Sequence, residues 1–372
     1  RKYFTAENND LSFFGLFKPL YVMLSFVGIF PYSLRHKTKH KYAIIPSTIY
    51  VRIILIVSLL TVLIVFLVLR TIYKLNEKDM FFGFIVFANN IVEMLFGLPC
   101  CMVGYFCVYR NRYKVIRILN AMESAWFQLP MTQNDILKTL RSRIVFNFIV
   151  MSCMLVAQII VTLLRSEGFW KVLLVLMTFI YPQIILFLML MFYDVYVLML
   201  VALLANVEES IKLLGRNKCI GSVLGSITIV ESKVTVVSLR AIERIFVNAY
   251  EIKRDINDVF QASLLMMSLQ SFHAIISASH IIYHAFVFKW GLTLPQSLIY
   301  TLWTVYHCMK IYAVSYSGNL LSTAIQHFTS LISYQANEIT VYGFFSIDGT
   351  FIFNITASTA MYFIILVQFD TS

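Results

Sequence analysis

Charged side chains are scarce in this 372-residue chain: Asp, Glu, Lys and Arg make up 13% of it, whereas hydrophobic residues make up 59%. Soluble domains carry about 25% charged and roughly 45–50% apolar residues. This balance excludes a water-soluble enzyme, a disordered tail protein and a nucleic-acid-binding module. It predicts a protein that crosses the membrane several times.

Cysteine chemistry is also sparse. The six cysteines include no CxxC pair or other metal-binding spacing, and five of them fall inside apolar runs. Neither a disulfide framework nor a metal centre is therefore expected. No nucleophile with a partner base stands out either, so the sequence predicts no enzymatic activity and no cofactor.

Seven runs are apolar and long enough, at about 20 residues, to cross a hydrocarbon layer of roughly 30 Å. We number these predicted spans 1 to 7; they are residues 51–69, 81–108, 144–164, 172–204, 259–288, 296–317 and 344–369. Spans 4 and 5 exceed what the bilayer requires, and the segment between them has apolar residues at helical spacing. We therefore expect both helices to project beyond the membrane.

Lysine and arginine are distributed unevenly between the loops. The segments before span 1, between spans 2 and 3, and between spans 4 and 5 hold 22 of them, and the opposite loops hold 6. Basic residues mark the cytoplasmic side, so the amino terminus is predicted to be cytoplasmic and the carboxyl terminus extracellular. G-protein-coupled receptors have the opposite orientation, and the DRY-type sequence usual in that class is absent after span 3.

Polar and ionisable side chains lie inside the predicted spans, where their cost in lipid makes them candidates for function. On span 5 they recur at steps of three, four and seven residues, which places them on one helical stripe. With the aromatic rings nearby they would line a pocket for a small organic molecule among spans 2 to 6. The candidate ligand-binding residues are Asn90, Glu93, Gln158, Tyr181, His280, Tyr283, His284, Trp303, Tyr306 and His307.

The histidines of span 5 allow three interpretations. His280 and His284 are four residues apart on one helix face, a spacing that can chelate a metal. They could instead form hydrogen bonds to neighbouring helices, or contribute to the ligand pocket. Two roles are likewise open for Lys310, Glu93 and Asp194. They could form buried ion pairs across the bundle, or hydrogen bonds that hold neighbouring helices together. Asp194 falls at the predicted cytoplasmic boundary, where a structural role is favoured.

Span 7 carries a polar stripe of Thr350, Asn354 and Ser358, which steps by four residues and then continues through apolar positions. A helix lining a water path with a hydrophobic constriction has this pattern, because such constrictions gate by dewetting. Hydrogen bonds from the same side chains to the preceding turn or to a neighbouring helix are the alternative.

The last span also resembles a known family. Residues 362–369, Tyr-Phe-Ile-Ile-Leu-Val-Gln-Phe, are similar to the carboxyl-terminal signature of insect gustatory receptors. Residues 342–348, Tyr-Gly-Phe-Phe-Ser-Ile-Asp, resemble the segment that leads into that family's last helix, and the sequence before span 1 is similar at 17–20 and 28–31. Two features depart from the family: Met361 replaces its usual threonine, and the connection between spans 6 and 7 is short.

The resemblance implies an all-α integral membrane protein that assembles as a tetrameric, ligand-gated, non-selective cation channel. Four copies of span 7 would surround the pore, and cytoplasmic helices would pack into a central anchor. Gln368 and Phe369 match the motif positions at the outer gate. Helical periodicity extends that face toward the cytoplasm, through Ile365, Tyr362, Ser358 and Asn354.

The same resemblance suggests how the chain is divided. The predicted parts are a cytoplasmic amino-terminal segment, spans 1 to 4, a cytoplasmic helical anchor connection, spans 5 and 6, a cytoplasmic anchor helix and the pore-lining span 7. They comprise residues 1–50, 51–204, 205–258, 259–317, 318–343 and 344–372.

The function that the resemblance implies is taste reception at the plasma membrane of sensory neurons. A bound tastant would open the channel to sodium, potassium and calcium, as a homotetramer or with related subunits, and without a G protein. The aromatic pocket favours a bitter or other plant-derived compound, with a sugar such as fructose as the alternative. A secondary transporter is the rival of a different class, but no half-to-half repeat of its kind is visible.

Overall fold

The computed structural model describes residues 13–30, 33–38, 41–45, 49–76, 83–129, 134–165, 168–223, 239–287, 294–332, 340–341 and 345–370. Within these ranges almost all of the chain is helical. The α-helices are α1 (Phe13–Val27), α2 (Ile49–Asn76), α3 (Gly83–Arg110), α4 (Arg112–Phe127), α5 (Asn134–Arg165), α6 (Phe169–Val175), α7 (Tyr181–Val223), α8 (Leu239–Val287), α9 (Leu294–Ile332) and α10 (Gly349–Asp370). A π-helical segment, Leu176–Ile180, joins α6 to α7.

Two small antiparallel sheets complete the fold. Strands β1 (Ser33–Thr38) and β2 (Lys41–Ile45) form a hairpin between α1 and α2. Strands β3 (Thr340–Val341) and β4 (Phe345–Ser346) pair just before α10. Apart from these short pairs, the described chain has the all-α architecture expected from the sequence.

The predicted spans coincide with helices, namely α2, α3, α5, α6 with α7, α8, α9 and α10. The predicted start of span 7 is wrong, because residues 345–348 form β4 and a bend, and the helix begins only at Gly349. By length and composition, five helices of the described chain can cross a membrane: Ile91–Arg110, Asp135–Val161, Phe169–Lys212, Ala241–Val287 and Gly349–Leu366. The count of seven and the orientation of the termini remain predictions. At 49 residues, α8 is about 70 Å long, more than twice the hydrocarbon thickness.

Helix α7 forms the centre of the bundle. Every residue in 185–200 is buried, and the helix packs against α5, α8 and α9. The ring of Phe192 meets those of Tyr196 and Phe260 edge to face, with centroids 4.8 and 5.1 Å apart. Because this stretch is buried on all sides, apolar residues occur around the whole helix rather than on one face, as they would in an amphipathic helix.

Helix α1 is part of this core, a packing role that the sequence analysis did not assign to it. Phe17 is fully buried and its ring lies 5.8 Å from that of Phe192. The Tyr105 hydroxyl donates to the carbonyl oxygen of Val27 at 2.9 Å. The chain then turns at Gly28, whose φ of 85° favours glycine, since other residues rarely adopt it.

Two ion pairs fasten α4 to the middle of α8. Lys114 Nζ lies 2.6 Å from Asp258 Oδ2, and Arg117 Nε donates to Asp255 Oδ2 at 2.7 Å. The hydrogen bond to Asp255 raises the pKa of the Arg117 guanidinium, which therefore stays charged at every physiological pH. Because the Arg117 side chain is largely exposed, the pair contributes only about 0–1 kcal/mol. It fixes the position of α4 more than it stabilises the fold.

Candidate ligand pocket and pore-lining helix

Aromatic rings and one carboxylate meet where α3, α9 and the π segment come together. The Trp303 indole nitrogen donates to Glu93 Oε1. The Trp303 ring packs on Phe179, with centroids 4.7 Å apart, and stacks on Tyr306 at 5.8 Å. His307 Nδ1 is 3.0 Å from Ser271 Oγ of α8. The structure thus groups four of the predicted ligand residues and adds Phe179, which the sequence analysis did not select.

Helix α2 also contacts the π segment at this site. Arg70 of α2 donates a hydrogen bond to Thr178 Oγ1, and it also interacts electrostatically with Glu93. Pro182 explains the widened turn, because a proline nitrogen cannot donate to the carbonyl oxygen four residues earlier, that of Thr178. In the widened turn the Tyr181 N–H donates to the carbonyl oxygen of Leu176, five residues earlier. Such single π turns are frequent at functional sites.

Four polar atoms, three on predicted ligand residues outside α8 and one on Gln183, are buried and have no hydrogen-bond partner among the described residues. They are Tyr306 Oη, His307 Nε2, Gln158 Oε1 of α5 and Gln183 Oε1 of α7. Since buried polar groups nearly always find a partner, these atoms call for a ligand or ordered water. Tyr181 is half-buried on α7, and its side chain shares a hydrogen bond with Tyr105 of α3. Asn90 lies on α3, and its side chain is outside the described residues.

The remaining predicted ligand residues form a second group on α8. His280 Nε2 and His284 Nε2 lie 3.1 Å apart, and both rings are buried. Tyr283, between them in sequence, contacts the ring of Phe363 on α10 at a centroid distance of 5.4 Å. This group therefore adjoins the last helix.

The three charged residues for which ion pairs or hydrogen bonds were possible each form a hydrogen bond with a neutral partner, and Glu93 also interacts with the charge of Arg70. Glu93 accepts a hydrogen bond from the indole nitrogen of Trp303. Lys310 Nζ donates to Gln270 Oε1 at 3.4 Å. Asp194 accepts from Ser317 Oγ and, at 3.0 Å, from Asn147 Nδ2, which ties α7 to α9 and α5. Asp194 is thus part of a structural junction between three helices.

A cavity of about 430 Å³ lies elsewhere, between α8, α9 and α10. Its walls are mostly apolar, with Thr356 and Thr359 as polar members, and it contains none of the predicted ligand residues. A smaller cavity, about 10 Å³, borders Lys310 and Ser271 and has room for about one water molecule.

Helix α10 stands at the edge of the bundle with two distinct faces. Only 6% of the most apolar stretch of Gly349–Leu366 is buried inside the bundle. In Phe169–Lys212, which includes most of α7, the corresponding share is 89%. Phe351, Ile355, Thr359 and Phe363 recur every four residues and face α8 and α9. The predicted pore positions Asn354, Ser358, Ile365 and Gln368 are exposed away from this face, and Tyr362 is exposed but contacts the ring of Phe272 on α8. The side chain of Phe369 lies outside the described residues.

The base of α10 is fixed to α9. Ser315 Oγ donates to the carbonyl oxygen of Asp348, and the Thr350 N–H donates to Asp348 Oδ1 at 2.8 Å. Asp348 thereby caps the first turn of the helix. Gly318 of α9 approaches the Ile347 backbone so closely that a Cβ there would overlap the Ile347 carbonyl oxygen. The start of α10 is therefore held in direct contact with α9.

The sequence can now be placed among known proteins. Residues 17–327 and 321–372 match the family model of the 7tm chemosensory receptors. The chain belongs to this family. Among curated proteins none matches it. The protein is thus a chemosensory receptor, as its terminal motif indicated, whereas the gustatory subtype remains a prediction.

Solved structures show the same fold. The insect olfactory receptor OR5 from Machilis hrabei is 13% identical to this receptor, with a TM-score of 0.64, covering 94% of this chain and 97% of that one. Its complex with eugenol is 14% identical, with a TM-score of 0.67, covering 96% and 99%. At these identities the likeness establishes the fold alone. The receptor is therefore an α-helical membrane protein built as these receptors are.

Proposed function

We propose that the receptor is a gustatory receptor and a tastant-gated, non-selective cation channel, with four copies of α10 around the pore. The two faces of α10 carry this proposal. One face packs on α8 and α9, and the other presents Asn354 and Ser358 away from the bundle. A membrane helix gains little by exposing an amide and a hydroxyl to lipid, whereas a water-filled pore solvates both.

In this proposal the tastant enters from outside and occupies the site around Trp303. The tastant shifts the channel toward opening only if it binds the open arrangement more tightly than the closed one. Two routes lead from that site to the pore helix. One runs through α8, whose Phe272 contacts the ring of Tyr362 at 5.9 Å. The other runs down α9 to Ser315 and the base of α10. Gln368 and Phe369 would form the gate, which then passes sodium, potassium and calcium.

The site favours a bitter or other plant-derived compound over a sugar. A sugar needs several available polar groups beside a flat ring, but Glu93 already accepts from Trp303 and interacts with Arg70. The other side chains at the site are mainly aromatic, namely Phe179, Trp303 and Tyr306, whose rings pack against one another. Stacking and apolar burial, with few hydrogen bonds, suit an aromatic plant compound. A sugar such as fructose is the alternative that the test below distinguishes.

Whole-cell current from cells that express this chain alone tests the proposal, with separate panels of sugars and of bitter compounds applied from outside. We expect an inward cation current evoked by one or more bitter compounds. Current evoked by sugars alone would contradict the ligand class. Silence with the protein at the cell surface would indicate a required partner subunit or a stimulus outside these panels.

Replacing Trp303 with alanine is expected to raise the half-maximal concentration of an active compound at least about tenfold. Loss of a ligand-facing aromatic surface costs about 1.5–3 kcal/mol of burial, and 1.4 kcal/mol is a factor of ten in affinity. Trp170→Ala is the matched control, because Trp170 is 71% exposed on α6. Equal shifts in the two variants, or none in Trp303→Ala, would contradict the placement of the pocket.

A further inference from the structure

The histidine pair of α8 has a geometry that the proposed channel function does not use. His280 and His284 lie on successive turns near the end of the helix at Val287. Their ring centroids are 4.4 Å apart with an interplanar angle of 68°, and their Nε2 atoms converge to 3.1 Å. Without a metal, one imidazole N–H donates to the other ring nitrogen.

The separation of the two nitrogens matches that of two ligands on one metal ion. Histidine nitrogens bind zinc at about 2.0–2.1 Å. Two such bonds at square-planar or tetrahedral angles place the nitrogens about 2.9–3.4 Å apart. The observed 3.1 Å lies within this range. A metal ion could replace the shared hydrogen with only small movements of either ring.

We propose that His280 and His284 form a binding site for one transition-metal ion of the zinc and copper class. Imidazole nitrogens suit Zn²⁺, Cu²⁺ and Ni²⁺, whereas Ca²⁺ requires oxygen ligands, so the permeating cations would not compete. The described residues contain no group of three or more His, Cys, Asp or Glu that could hold a metal. Two protein ligands hold a metal less tightly than the three or four of a structural or catalytic site, so binding would be reversible and modulatory rather than that of a resident cofactor.

The position of the pair gives metal binding a consequence for gating, and this part rests on the proposed channel function. Tyr283 lies between the two histidines in sequence and contacts Phe363 of α10. A metal that bridges the two turns would stiffen α8 where it touches the pore helix. We expect micromolar Zn²⁺ in the bath to reduce the ligand-evoked current of the wild-type receptor, and to leave that of His284→Asn unchanged.

The binding itself is tested without any current, by electron paramagnetic resonance of Cu²⁺ added in equimolar amount to the purified full-length receptor in lipid nanodiscs. The wild type should bind one Cu²⁺ per chain, with hyperfine coupling to two nitrogens. His284→Asn keeps a hydrogen-bonding partner for His280 but removes a ligand. Its affinity should fall at least about tenfold, since even an outer-shell partner of a metal is worth 10–100-fold.

Two further variants separate a metal site from a purely structural pair. His327→Asn changes an exposed histidine of α9 and should leave the copper spectrum unchanged. His284→Cys supplies a thiolate, which also binds zinc, and should retain Zn²⁺ binding by calorimetry. The same two-nitrogen spectrum in wild type and His284→Asn would overturn the proposal, as would a wild-type spectrum without nitrogen coupling. A receptor that binds copper in this way but carries no current would contradict the channel function alone.

Discussion

Replacing Gly318 with alanine is expected to reduce the maximal ligand-evoked current about tenfold or more while the protein still reaches the cell surface. The added Cβ would overlap the carbonyl oxygen of Ile347, two residues before α10 begins, so the backbone there has to move. Overpacking of this kind costs about 1–3 kcal/mol, and 1.4 kcal/mol shifts a two-state equilibrium tenfold. Because Ser315 and Asp348 join the two helices at the same place, the strain acts on the connection between ligand site and pore.

Gly349→Ala provides the matched control for this experiment. Gly349 is the first residue of α10, and a Cβ there would meet nothing within 4 Å. The same chemical change, made two residues beyond the overlap, should leave the current unaltered. Surface biotinylation of both variants separates a gating defect from a trafficking defect. Wild-type currents from Gly318→Ala would show that the base of α10 is not coupled to α9 as the contacts suggest.

Replacing Asp194 with alanine is expected to destabilise the folded receptor by about 2–4 kcal/mol. Asp194 is buried and accepts hydrogen bonds from the buried Ser317 and the half-buried Asn147, so its removal leaves both donors without this acceptor at a cost of up to about 1–3 kcal/mol each. Ser317 also donates to the carbonyl oxygen of Ala313, so its hydroxyl keeps one hydrogen-bond partner when Asp194 is removed. The measurement is the temperature at which the detergent-solubilised receptor loses its size-exclusion peak, and we expect it to fall by several degrees.

Asp194→Asn tests whether the hydrogen bonds are the cause. An asparagine keeps one acceptor oxygen and adds an amide that can donate to Ser317, so both partners of Asp194 can remain satisfied. This variant should melt close to the wild type. Equal losses in Asp194→Ala and Asp194→Asn would mean that the carboxylate charge, rather than its hydrogen bonds, stabilises the junction.

The sequence identified the features that repeat along one helix. Apolar length located the helices, a spacing of four placed His280 and His284 on one face, and the same spacing placed Asn354 and Ser358 on one side of α10. These properties depend on helical periodicity alone. They do not require knowledge of which helices are neighbours.

The features that depend on which helices lie next to each other in the fold were not predicted from the sequence. Nothing in the local sequence pairs Arg70 with Thr178, or Phe179 with Trp303, because each pair is separated by more than a hundred residues. The π segment had one local signal, Pro182, which disrupts the preceding turn. Gly318 had none, since its close approach to Ile347 is a property of two segments that meet only in the folded chain.

The central claim, that α10 lines a cation pathway, is tested most directly by cysteine modification from the outside during ligand-evoked current. Ser358→Cys and Phe353→Cys would each be made in a background in which the exposed Cys153 and Cys308 are serine. Phe353 is 74% exposed but directly precedes Asn354, so it points about 100° around the helix from the polar stripe. A positively charged methanethiosulfonate should reduce the current of Ser358→Cys by more than half and leave that of Phe353→Cys unchanged. Equal sensitivity of the two positions, or an unmodified current in Ser358→Cys, would contradict the account.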